Sequence, residues 1–172
     1  MKQIFLFLIY ISVVFSQDIF PNYPVRLIDN KQTTLHQITN EVTFVSFWAT
    51  WCIPCIKEID KINLFIKEYD DVSVILINED RVGEIPKVKR LIKTRKYPVD
   101  EQYNIVLDFD QKLSRLFSAQ PIPLTLILKN NKIIFRKRGF NVGDEIQMKK
   151  IIEGALNCLL YTSPSPRDSI RS

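Results

Sequence analysis

An α/β fold is predicted for this chain: a central mixed sheet flanked by helices, three layers in all, with a small β-extension ahead of it. Three observations predict it. Two nearly continuous apolar runs rich in β-branched residues, "VTFVSFWA" (42–49) and "VSVILIN" (72–78), are each followed by a stretch with helical spacing. That order of strand, helix, strand and helix makes a parallel pair with a crossover. The pattern then switches to two short strands around the turn "NN", "PLTLILK" (123–129) and "KIIFRKR" (132–138), which read as a β-hairpin.

The elements follow in order. "PVRLID" (24–29) and "TTLHQI" (33–38) are short extended segments around a polar "NK" turn. "VTFVSFWA" lacks polar alternation, as expected of a central strand covered on both faces. From Pro54 onward, Ile56, Ile59, Ile62, Phe65, Ile66 and Tyr69 recur three or four apart among Lys, Glu and Asp, giving a helix with one core-facing stripe. Pro54 falls in its first turn, where a missing N–H costs nothing. After "VSVILIN" a second helix begins near Pro86 and runs to about Tyr97. "NIVLD" (104–108) reads as a short strand, and Asp110 as the N-cap of a brief helix after it. "GDEIQMKKIIEGALN" (143–157) is a closing helix with Ile146, Ile151, Ile152 and Leu156 roughly on one face.

Of the 172 residues, 46% are hydrophobic and 11% aromatic, which suits one compact domain with terminal extras. The formal charge of +5 comes from 24 basic against 19 acidic residues. The basic residues are scattered, and the one cluster, "KVKRLIKTRK" (87–96), reads as the solvated face of a helix, so no nucleic-acid partner is expected. At the N-terminus Lys2, the apolar run "IFLFLIYISVVF" (4–15) and Ser16 with Val14 two before it have the form of a secretory signal. Residues 1–16 are therefore expected to be the signal and 17–157 the folded domain, placing the protein in the periplasm or outside the cell. The run is short against the roughly 20 residues that span a bilayer; left uncleaved, it would be a membrane anchor. Residues 158–172, with "SPSPRDS", are polar and aperiodic and read as a disordered or artefactual tail.

Chemistry concentrates in "FWATWCIPCIKEI" (47–59), where Cys52 and Cys55 stand at the junction of the first strong strand and the first helix. A structural disulfide closing so small a loop would remove little chain entropy. A zinc site needs four ligands, and the chain adds only Cys158 and a distant His36, so no metal is expected. A peroxidase would need Pro and Thr or Ser where Val45 and Ala49 stand. A redox dithiol remains. At this junction backbone N–H groups and the positive end of the helix dipole face the leading sulfur and favour thiolate over thiol. Cys52 is thus the expected attacker and Cys55, one turn into the helix, the resolving thiol.

"SFWATWCIPCIKE" resembles the active-site segment of the thioredoxin-like fold, in particular of the TlpA/ResA type of extracytoplasmic thiol–disulfide oxidoreductase. The similarity spans about residues 24–157, and Trp51 and Pro54 match the family's W-C-x-P-C. "QPIPLTLIL" resembles the loop in which the family carries a cis proline beside the cysteines. The resemblance places that proline at Pro123 and leaves the backbone of Ile122 free to pair with an extended substrate. It also implies that Glu58 lies near the cysteines and assists proton transfer or substrate recognition, an ordinary exposed helix glutamate being the alternative. Ser46 stands where ordinary thioredoxins bury an aspartate, a role that Glu58 would partly take over. Leu124 and Asp60 depart from the family, which more often has Thr and a helix-kinking Pro there. His36 is read as a surface or packing residue, Trp48 as core, and Trp51 as lining the site.

Ile53 and Pro54 between the cysteines bring no positive charge to stabilise the thiolate, so a reductase is expected. Its partners would be disulfides of exported proteins, apocytochrome c by resemblance, and a membrane electron donor that recharges it, with no cofactor. A periplasmic disulfide oxidase or isomerase, or a non-catalytic binding module on the same fold, are the alternatives.

Overall fold

The computed structural model describes residues 19–157; the expected signal at 1–16 and the tail at 158–172, with Cys158, lie outside the described residues. The fold is thioredoxin-like. A small antiparallel pair, β1 (Pro24–Arg26) and β2 (Gln32–Thr34), precedes a five-stranded mixed sheet. In chain order the sheet comprises β3 (Val42–Trp48), β4 (Val72–Asn78), β5 (Tyr103–Leu107), β6 (Leu124–Lys129) and β7 (Lys132–Arg138). The spatial order is β5-β4-β3-β6-β7. β3 pairs with β4 in parallel and with β6 antiparallel, so the strand leading to the cysteines is central. The helices are α1 (Ile53–Asn63), α2 (Ile85–Arg95), α3 (Lys112–Leu116) and α4 (Asp144–Asn157).

Strand pleating divides the core. Phe44 and Trp48 of β3, Val74 and Leu76 of β4 and Ile127 of β6 pack with Ile59 and Ile62 of α1, Val88 and Ile92 of α2, and Met148 and Ile152 of α4. Val45, Phe47, Ile75, Ile77, Leu126 and Leu128 point the other way, against Phe20, Leu35, Leu113 and Phe117. The N-terminal extension thus lids the face that a single short helix, α3, would leave open. At the β6–β7 turn, Asn130 and Asn131 have φ of 50° and 60°, the paired positive values that a two-residue hairpin requires and that Asn tolerates.

Five details differ from expectation. The second extended segment ends at Thr34, and Leu35–Gln37 turns into a 3₁₀ helix that buries Leu35. α1 stops at Asn63, and a 3₁₀ turn (Ile66–Glu68) carries the apolar stripe onward, because a period of three keeps Phe65 and Ile66 buried as well as 3.6 does. Asp110 does not cap α3: Gln111 takes a left-handed conformation (φ 52°), which swings the first N–H groups of the helix toward Asp108, whose carboxylate accepts from Leu113 N (3.1 Å) and Ser114 N (2.8 Å). α4 buries Met148, Ile152 and Ala155 while Ile146 is exposed; six residues, or about 240° around a helix, separate Ile146 from Ile152, so the two cannot share a face. Asp60, where a kink was in question, instead accepts from Arg95 Nη1 (2.6 Å) and Tyr97 Oη (2.8 Å), tying α1 to the end of α2. Asp60→Ala is expected to cost about 1–2 kcal/mol, chiefly through the stranded Tyr97 hydroxyl, as urea unfolding will measure. The cluster at 87–96 forms the exposed face of α2, with Val88 and Ile92 turned inward.

Candidate active site

β3 is buried along its whole length and ends at Trp48; the chain then turns through Ala49, Thr50 and Trp51 into α1. Cys52 is the N-cap of α1, with extended backbone angles, and Pro54 sits in the first turn. Cys52 and Cys55 are joined as a disulfide with a Cα–Cα separation of 5.3 Å. The Cys55 N–H donates to Cys52 Sγ at 3.3 Å, so a cap normally made by an oxygen is made here by sulfur. Cys52 is 5% exposed and Cys55 is fully buried, so of the two cysteines only Cys52 meets solvent. Trp51 and Ile53 stand out on either side of it, 58% and 67% exposed. Trp48, by contrast, is fully buried, and its indole N–H has no partner among the described residues.

The opposite wall is the loop Gln120-Pro121-Ile122-Pro123. The Ile122–Pro123 peptide is cis, and so is Gln120–Pro121, which the sequence reading did not anticipate. The Ile122 carbonyl oxygen lies 3.9 Å from Cys52 Sγ. The loop is tied down beyond the prolines by Gly139 N, which donates to the Pro123 carbonyl (2.8 Å).

Beneath the pair lies Glu58, one turn beyond Cys55 on α1 and wholly buried; it is no ordinary surface glutamate. Ser46 Oγ donates to one carboxyl oxygen (2.5 Å) and Thr125 Oγ1 to the other. Ser46 and Thr125 are cross-strand neighbours in the β3–β6 register, so both hydroxyls reach the α1 face at the same level. Burial pushes the Glu58 pKa up to about 7; the two hydroxyls oppose this by favouring the charged form, and Asp144 across the gap adds to the rise. The group thus changes charge near neutral pH, the property a proton-transferring acid needs.

Two further carboxylates follow β4, beside the loop that leads to Cys52 and the proline loop. Asp80 accepts from Thr50 N (2.7 Å), Thr50 Oγ1 (2.7 Å) and Asn78 Nδ2 (2.7 Å). Glu79 accepts from Gln120 Nε2 (2.5 Å). Burial, with Asp108 and Asp80 nearby, raises the Glu79 pKa, while the Ser114 hydroxyl and the Gln120 amide pull it down; Oε1 has no hydrogen-bond partner among the described residues.

Trp51, Cys52, Pro54, Cys55, Glu58, Ile122 and Pro123 are thus brought into one region. Thr125, Glu79, Asp80 and Gln120 were not picked out beforehand. For Thr125 the signal existed, since pairing the two apolar strands antiparallel sets one hydroxyl position against Ser46, whereas nothing in "NED" marks its contacts. His36 is a packing residue: its Nε2 lies 2.7 Å from the Phe20 carbonyl oxygen. Among the described residues no three His, Cys, Asp or Glu side chains converge as a metal site would need, and no helix is long and apolar enough to cross a membrane. A cavity of about 460 Å³ lies between β1, β2 and the β5–α3 loop, lined by Tyr23, Arg26, Asp108 and Lys112 among others, and includes neither cysteine.

Comparison with known proteins agrees with this fold. The AhpC/TSA family matches residues 17–137. A thiol–disulfide oxidoreductase ResA of Bacillus cereus is 25% identical over 128 residues, covering 74% of this chain and 72% of the relative. Among solved structures, one from Chlorobium tepidum, assigned as a thiol:disulfide interchange protein of the DsbE type, superposes with a TM-score of 0.69 at 21% identity, over 81% of this chain and 96% of that one. StoA from Bacillus subtilis gives 0.60 at 23%, over 77% and 96%.

Proposed function

This chain belongs to the AhpC/TSA family, and from that premise we propose that it is an extracytoplasmic thiol–disulfide oxidoreductase that reduces disulfides of exported proteins. The observation that carries this reading is the Cys52–Cys55 disulfide at the head of α1, with Cys52 Sγ capped by the Cys55 N–H and facing the Ile122 carbonyl. Helix-terminal N–H groups stabilise a thiolate there, and the lesser burial of Cys52 makes it the sulfur that a substrate reaches.

In the reduced protein the Cys52 thiolate attacks one sulfur of a substrate disulfide. A mixed disulfide forms, and the other substrate sulfur leaves as a thiolate that takes a proton from water. Cys55 gives its proton to Glu58 and attacks Cys52 Sγ, and the second substrate sulfur leaves. Two electrons have passed to the substrate, and the protein is left with the disulfide described above. The exposed Trp51 and Ile53 and the backbone of Ile122 form the surface on which an extended substrate segment lies, with Pro54 and Pro123 shaping it. A membrane-bound dithiol donor restores the thiols, and the location rests on residues 1–16 acting as a secretory signal. Apocytochrome c is the substrate the family resemblance suggests.

Direction of flow is the testable part. Without a charged residue between the cysteines, the potential is expected nearer the thioredoxin value of about −270 mV than the about −120 mV of strong oxidants. Equilibration with glutathione or dithiothreitol buffers measures it. A value above about −170 mV would reassign the protein as an oxidase or isomerase.

A further inference from the structure

The end of β4 carries more buried charge than the fold requires. Glu79 and Asp80 are consecutive and 3% and 1% exposed, and Asp108 beside them is also buried. Buried carboxylates are costly even when hydrogen-bonded, and apolar side chains of similar size are commonly the more stable choice. Glu79 even leaves one oxygen without a partner among the described residues. Local rules broken in this way tend to mark functional positions.

Their contacts diverge toward the two walls of the cysteine site. The parallel register sets Asn78 beside Trp48, and Glu79 N donates to the Trp48 carbonyl (2.9 Å), so the two carboxylates sit where the chain leaves β3 for Cys52. Asp80 holds both the N–H and the hydroxyl of Thr50, two residues before Cys52, whose own N–H is bound to the Ala49 carbonyl (3.1 Å). Glu79 reaches the other way, to the side-chain amide of Gln120. Gln120 opens a loop in which Pro121 and Pro123 have no backbone N–H to anchor it, and its side chain supplies a tether instead. Two residues on, the Ile122 carbonyl faces Cys52 Sγ.

We propose that Glu79 and Asp80 are positioning residues that fix the two walls of the exchange site, Asp80 the loop that delivers Cys52 and Glu79 the proline loop on which a polypeptide substrate lies. This rests on the exchange function proposed above. Glu79 acts only through the substrate-bearing loop, so a long substrate depends on it more than a small one. Asp80 acts through the cysteine loop, and every substrate depends on it.

The test uses the full chain with insulin as the protein disulfide and 5,5′-dithiobis(2-nitrobenzoate) as the small one. For Glu79→Ala, kcat/KM for insulin is expected to fall about tenfold, mostly through KM, as loss of one charge-assisted hydrogen bond implies, and the loss for the small disulfide is several-fold less. Glu79→Gln keeps an acceptor for Gln120 and recovers most of the insulin loss. Asp80→Ala loses activity on both substrates alike. Equal losses on the two substrates in Glu79→Ala, no recovery in Glu79→Gln, or full activity in Asp80→Ala overturns the proposal. Should the wild-type chain reduce neither disulfide, the exchange function fails, and NMR still decides the brace. The Gln120 side-chain amide resonances shift further in Glu79→Ala than in Glu79→Gln, and the Thr50 amide exchanges faster in Asp80→Ala; equal Gln120 shifts in the two variants, or an unchanged Thr50 exchange rate, overturn it.

Discussion

Replacing Cys52 with serine is expected to abolish insulin reduction, by at least about a thousandfold, since a hydroxyl at this position can neither ionise near neutral pH nor form a mixed disulfide. Replacing Cys55 with serine gives a different failure. The first attack still proceeds, and the substrate stays covalently attached to Cys52 because nothing resolves it. The two variants, each with Cys158 also replaced by serine, therefore separate on a non-reducing gel of an extract: Cys55→Ser carries high-mass adducts that dithiothreitol removes, and Cys52→Ser carries none. The asymmetry follows from the burial of Cys55 and the slight exposure of Cys52. Turnover by Cys52→Ser, or adducts on it, would mean that the buried sulfur is the attacker and that the helix-cap argument is wrong. The captured proteins name the substrate and the recharging partner together.

The second large effect concerns Glu58. Its folded pKa of about 7 stands above the value of 4.5 expected when unfolded, so between these limits the folded state holds a proton that the unfolded state has released. Stability due to this group is complete below pH 4.5 and is lost as the pH rises through about 7, a total of about 3 kcal/mol at about 1.4 kcal/mol per unit. Glu58→Gln removes the titration while leaving a side chain that Ser46 and Thr125 can still bond. Relative to wild type it should gain about 2–3 kcal/mol between pH 5 and pH 8, read as the change in the stability difference in urea. A difference that stays constant between those pH values would place the carboxyl in water. The same variant should exchange disulfides about a hundredfold more slowly and lose the rate transition near pH 7, as removal of a general base does.

Much of this is legible in the sequence. The apolar runs of β3 and β4, the "NN" hairpin and W-C-x-P-C between strand and helix each combine a local propensity with a pattern that has few readings, and the central sheet and the cysteine site follow from them. What stayed hidden depends on contacts between distant segments. Thr125 and Ser46 are 79 positions apart, and their meeting at Glu58 is a fact of sheet register. Glu79 and Asp80 sit in "NEDR", which has the composition of any polar loop, and only the parallel pairing of β4 with β3 brings them beside the loop that leads to Cys52. The Ile146 stripe and the Asp110 cap failed for a smaller reason: several apolar or acidic residues compete for one role within a turn, and packing chooses among them.

The paired hydroxyls on β3 and β6 limit how the protein can change over time. Adding or deleting one residue between Pro123 and Thr125 would invert every side chain of β6 downstream, carrying the threonine to the opposite side of the sheet and leaving Glu58 with one donor. Lineages descended from this chain can exchange one apolar residue for another at the core positions of β6, while the length of that step from proline to threonine should stay locked.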